Sequence, residues 1–264
     1  MRVTVFLVLG TAVVLAQQPA KLLPTDREAA TVRVLQTRLN DVGEAEGRPE
    51  NYVRLKNLVR DFIIQQLEAS PGIRDEDLVS QLTHILGKNE SEEAPRPYFA
   101  FSGTGFGPNS EVRLWAVAYP VSFGFHGVGA TGIVIDSYVW EKGKARLAGR
   151  GGGELSGHWL NVRTVERRPD ALLILADGML TGSSGSAISA RAVLYRVDAA
   201  GVHTVWQTAL LPGLHAFAGE GLFTLEYADR ARWYASPRLP NARIVEVWQI
   251  YGSNPPRLLV RNHH

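Results

Sequence analysis

The chain has 264 residues, a formal net charge of +2, 45% hydrophobic and 20% charged residues, and no cysteine. A chain of this length can bury a sizeable core, and the missing thiols exclude disulfides, thiol catalysis and cysteine-held metal or iron–sulfur sites. The near balance of charge gives no electrostatic case for a nucleic-acid partner.

Arg2 precedes a nearly unbroken apolar run from Val3 to Ala16, ending in Val14-Leu15-Ala16. A positive start, an apolar middle and a small-residue end make up a secretory signal peptide, so cleavage is expected before Gln17. The run is shorter than the roughly 20 residues of a spanning helix. Residues 1–16 are therefore read as a removable signal and 17–23 as a mature N-terminal extension. The mature chain is expected to be extracellular or periplasmic, without a membrane span.

A helical unit is predicted over residues 24–87. Thr25 and Glu28 have the spacing of a capping box, and Val32, Leu35, Leu39 and Val42 then form an apolar stripe on a first helix. A second helix, Glu50 to Ala69, carries Leu55, Leu58, Val59, Phe62, Ile63 and Leu67 on one side, and Ser70-Pro71-Gly72 stops it. Asp75 is read as the cap of a third helix, buried through Leu78, Val79, Leu82, Ile85 and Leu86 and ending near Gly87. The polar, proline-bearing stretch 88–97 reads as a linker.

From residue 98 onward the pattern changes to β. All six tryptophans lie in this part, with glycine and proline punctuating β-branched and aromatic runs. Strands are expected at Glu111–Tyr119, Ile133–Trp140, Leu155–Arg163, Ala171–Ala176, Ile188–Val197, Val202–Leu211, Leu222–Tyr227, Arg243–Tyr251 and Arg257–Arg261. Gly201 supplies the positive φ needed by a hairpin loop between Val197 and Val202, and Trp206 is expected across from Arg191 or Tyr195. The fold class is α+β: a small N-terminal helical unit followed by a mainly antiparallel β-sandwich or barrel over 98–264.

Charge divides with the fold. Residues 24–95 hold nine Lys/Arg against fourteen Asp/Glu, a net of −5, whereas 96–264 hold seventeen against twelve, a net of +5. This asymmetry predicts docking of the helical unit on the β unit, although single surface pairs contribute only about 0–1 kcal/mol.

No motif specifies a reaction or a cofactor. Gly103-Thr104-Gly105-Phe106-Gly107 lacks the spacing and the following helix of a dinucleotide fingerprint and reads as a turn or bulge. Ser186, in the loop Thr181-Gly182-Ser183-Ser184-Gly185-Ser186, needs His158 or His203 as a base, with Asp170 or Asp177 to orient it, before it can act as a nucleophile. His126, His158, His203 and His215 lack metal-site spacing. Glu220 with Glu226, or Asp229 with Glu246, would suit an acid/base pair only if folding brought the carboxylates together.

The strongest loop signal is Gly149-Arg150-Gly151-Gly152-Gly153-Glu154, near Lys142, Lys144 and Arg146 and followed by His158-Trp159. Arg150, His158, Trp159 and Trp206 are the nominated ligand or partner surface, with arginine for an acidic group and the indoles for stacking. The expected function is an exported module binding a protein, a glycan or an acidic ligand. A secreted hydrolase and a structural or assembly protein are the alternatives.

Overall fold

The computed structural model describes residues 30, 49–86, 99–104, 112–123, 130–153, 155–157, 159–181, 188–229, 242–252 and 254–264. The expected signal, the extension, the linker and all but Ala30 of the expected first helix lie outside them.

Two helices lead the described chain. Helix α1, Pro49–Ala69, begins on a proline, which suits a first helical position because its missing N–H would have no intrahelical partner there. Leu55, Val59, Phe62, Ile63 and Leu67 recur at three- and four-residue spacing and are buried. Helix α2, Asp75–Leu86, buries Leu78 and Leu82. Its first helical bond runs from Leu78 N to Arg74 O, so Asp75 sits inside the first turn. The capping position expected for it belongs to Arg74.

Fourteen described strands follow, in three sheets whose pairings are all antiparallel. Sheet I joins β1 (Phe99–Thr104), β2 (Val112–Phe123), β3 (Ala130–Glu141) and β4 (Lys144–Gly151), with the short β5 (Ser156–Gly157) beside β3. Sheet II contains β6 (Trp159–Arg167), β7 (Ala171–Thr181), β8 (Ile188–Asp198), β9 (Gly201–Gln207) and β10 (Leu211–Pro212); β9 and β10 both pair with β8. Sheet III runs β11 (His215–Gly219), β12 (Leu222–Ala228), β13 (Arg243–Gln249) and β14 (Arg257–His263). No sheet closes on itself among the described residues, so the arrangement is sandwich-like and not a barrel.

Three cores stack these parts in the order helices, sheet I, sheet II, sheet III. Strand β2 shows why. Trp115, Val117 and Tyr119 point to the helices, while Leu114, Ala116 and Ala118 point to sheet II. Strand β7 repeats the division, with Leu172, Ile174 and Ala176 toward sheet I and Leu173 and Leu175 toward sheet III. Successive side chains of a strand alternate faces, so a strand clothed on both sides reads as a continuous apolar run. Both faces of β2 are therefore core.

The helices join sheet I mainly through apolar packing. Arg150 Nη2 donates to Lys56 O (3.2 Å), Ala145 N donates to Glu68 Oε1 (3.0 Å), and Arg113 Nη1 donates to Pro71 O. Arg167 forms an ion pair with Asp75 at 2.9 Å. This pair has the polarity expected from the charge division, but Leu55, Ile63, Leu67, Trp115 and Tyr138 make up the bulk of the junction.

Candidate functional site

The segment expected to be a glycine-rich loop contains the end of β4. A Cβ on Gly149 would stand 2.6 Å from the Cα of Gly201, and one on Gly151 would stand 2.7 Å from Val202 Cγ1. Glycine is needed there because two backbones nearly touch where β4 crosses β9. Gly152, at φ 96°, lies just past the strand end.

Arg150 points back toward the helices. Its Nε donates to Asp136 Oδ1 at 2.5 Å and its Nη2 to Asp136 Oδ2 at 2.8 Å, while Tyr119 and Tyr138 donate to the same Oδ2 at 3.1 and 3.0 Å. Burial first, and then the Asp136 charge, push the Tyr138 phenol well above its ordinary range. Arg150 is thus committed to a buried carboxylate, as a charge in a low-dielectric interior has to be.

Trp206 faces Leu194, because a register shift between Leu194 and Tyr195 displaces it from either expected partner. Its ring centroid lies 5.2 Å from that of Phe223 and 4.9 Å from that of Trp248, both tilted, so it joins sheets II and III. The Trp159 backbone opens β6, paired with Met179. His158 lies outside the described residues, as do Ser186 and most of its loop. His203 has Asp198 as its nearby carboxylate, at 3.6 Å. Asp170 is bound to Arg196 and Asp177 to Arg163.

Among the described residues, each sheet contains a buried carboxylate answered by an arginine of the neighbouring strand. The pairs are Asp136–Arg150 in sheet I, Asp177–Arg163 in sheet II and Glu246–Arg261 in sheet III. Asp177 also accepts from Asn161 at 3.2 Å, and Arg163 Nη1 continues to Ala216 O, tying sheet II to β11. Burial pushes the Asp177 carboxyl above its ordinary value, against the pull of Asn161 and Arg163.

Asp229 and Glu246, one of the carboxylate pairs nominated above, lie at separate places along the β12–β13 ladder: Asp229 is opposite Ala242 and Glu246 opposite Leu225. Glu246 Oε1 accepts from Tyr227 Oη (2.8 Å) and Arg261 Nε (2.7 Å), and its Oε2 accepts from Trp248 Nε1 (3.0 Å). Asp229 Oδ2 lies 3.0 Å from His263 Nδ1. Burial, then the bond to Glu246 and its charge, push the Tyr227 phenol up to about 12. The arrangement anchors β14: Glu246 holds Arg261 and Asp229 holds His263. Glu220 sits in the turn before β12, whereas Glu226 is on β12 and pairs with Arg243 at 3.2 Å.

The face of sheet III turned away from sheet II carries a different surface. Register aligns Phe217, Thr224, Val247 and Val260 in one row across the four strands. Gly219, Leu222, Gln249 and Arg257 form a neighbouring row, and His215, Glu226, Val245 and Asn262 another. Phe217 is 53% and Val260 43% exposed. Among the described residues no apolar layer covers this face, whereas both faces of sheets I and II are packed.

No group of three or more metal-ligating side chains gathers among the described residues, and no described helix is long and apolar enough to cross a membrane. No protein-family model, curated protein or solved structure matches the chain.

Proposed function

We propose that this chain is an exported interaction module that docks a protein partner on the outer face of sheet III. The observation that carries the reading is the row Phe217–Thr224–Val247–Val260, apolar but for one threonine and, among the described residues, left open at the end of a stack whose other sheet faces are packed. Contiguous exposed apolar surface marks interaction sites. A sheet face suits a protein surface better than it suits a small ligand, which favours a concavity. The N-terminal signal pattern supports export, and N-terminal sequencing of secreted material should then begin at Gln17.

Arrays of immobilised extracellular proteins and glycans, probed with the exported chain, test the docking. A Phe217→Ser, Val260→Ser double variant should lose binding to protein spots while keeping the far-UV spectrum and melting temperature. Equal binding by both chains, or binding confined to glycans, would overturn the reading. Steady turnover of ester, peptide or glycan substrates by the purified chain would favour the hydrolase alternative.

A further inference from the structure

We propose that the open edge of β14 accepts an extended acidic segment of another protein as an added strand. This rests on the reading of sheet III as the partner-binding layer and names the chemistry of the partner.

The backbone geometry shows which groups are available. Arg243 and His264 exchange both backbone bonds, at 3.1 and 2.9 Å. In an antiparallel ladder such pairs alternate with pairs whose N–H and C=O groups point the other way. Asn262 and Val260 therefore face β13, while Arg261 and His263 present their backbone donors and acceptors to the open side. Several other outer strands lie against neighbours. β1 packs against α2 and β7, β4 against β9 with Ala145 N capped by Glu68, and β11 against β6 and β7. Among the described residues, strand β14 packs principally on β13 alone. An edge with free donors and acceptors is a template for strand addition.

Side chains choose among possible occupants. The ionisable groups that reach solvent along β14 and its end are Arg257, Arg261, His263 and His264. Their carboxylate partners Glu246 and Asp229 are each only 4% exposed. Glu246 takes the Nε and Nη2 side of the Arg261 fork, so Nη1 lies on the side away from it. Carboxylates on an incoming strand meet donors there, and its alternate apolar residues extend the row ending at Val260.

A second copy of the chain is a poorer occupant. β14 contains no acid, and antiparallel self-pairing that matches the outward amides sets Arg261 opposite its own copy, His263 or Leu259, so no register offers it a carboxylate. Like charges directly opposite each other destabilise a strand pair.

The test uses the full exported chain and a synthetic peptide alternating valine and glutamate. Two controls are a valine–lysine peptide and the acidic peptide with alternate amides N-methylated. Amide hydrogen exchange followed by NMR should slow about tenfold or more at Arg261 and His263 with the acidic peptide and with neither control. Arg257→Glu, at an exposed position, should weaken the acidic peptide about three- to fivefold without moving the melting temperature. Unchanged exchange at Arg261 and His263, or equal slowing by the lysine peptide, overturns the proposal. So does slowing that grows with protein concentration alone, which would make a second copy the occupant. If the edge stays unprotected while the Phe217 and Val260 variant still loses array binding, the edge assignment fails and the sheet-face reading stands.

Discussion

Gly149 and Gly153 belong to the same glycine-rich run, yet the same substitution should affect them differently. A Cβ at Gly149 meets the Gly201 Cα at 2.6 Å, and both are backbone that no rotamer change can clear; at Gly153 there is nothing within 4 Å. Gly149→Ala should cost about 2–3 kcal/mol through forced separation of β4 and β9, and Gly153→Ala should stay within about 0.5 kcal/mol. Denaturant midpoints of the two variants decide it; equal midpoints would mean that the strands part easily. Asp177 gives a second residue-level expectation, in pH. Its folded carboxyl binds a proton more tightly than the ordinary value of 3.8 implies. The stability it contributes is therefore fully present below that value and is lost as pH rises through the raised folded value. The stability of the native chain relative to Asp177→Asn should grow as pH falls from about 7 to about 4. A difference that shrinks over that range would contradict the burial argument.

At the scale of elements, β14 depends on contacts that no local pattern in the sequence reveals. Most of its residues are exposed, and it is fastened through Arg261 to Glu246 and through His263 to Asp229. Glu246→Gln should cost about 1–2 kcal/mol, less than the 3–5 of a fully buried pair because the Arg261 side chain is half in water. Exchange at Val260 and Asn262, whose amides face β13, should quicken before that of β12. If β12 and β14 quickened together, Glu246 would be stabilising the whole sheet. The strands legible in the sequence were those with a clear apolar pattern, such as the alternating Ile188, Ala190, Ala192 and Leu194 of β8 and the β-branched Ile244, Val245 and Val247 of β13. Strand β4 was hidden because Gly149 and Gly151 look like loop residues until β9 is seen against them, and the cross-strand Asp–Arg pairs are joined only by sheet register. The surroundings of the nominated Arg150 and Trp206 were hidden for the same reason: their partners, Asp136 and Trp248, come from other strands.

Across the whole molecule, the question is whether four stacked layers melt as one. Sheets I and II each have apolar side chains on both faces, so detaching either neighbour would expose a core: Trp115, Tyr119 and Tyr138 if the helices leave, or Leu175, Leu194 and Ala192 if sheet III leaves. That cost couples the layers. Leu67→Ala in α1 and Leu225→Ala in β12 sit at opposite ends of the stack, both fully buried, and each should cost about 2–4 kcal/mol. Trp115 and Trp140 lie against the helices, whereas Trp206 and Trp248 lie between sheets II and III, so with only the latter two indoles kept, fluorescence follows the sheets while the helical circular dichroism band follows α1 and α2. Coupled layers require coincident transitions by the two probes in both variants, each shifted to a lower midpoint. If Leu67→Ala instead melted the helical band ahead of the fluorescence, sheet I could survive with its aromatic face uncovered. The helices would then be a cover on a β stack that stands without them.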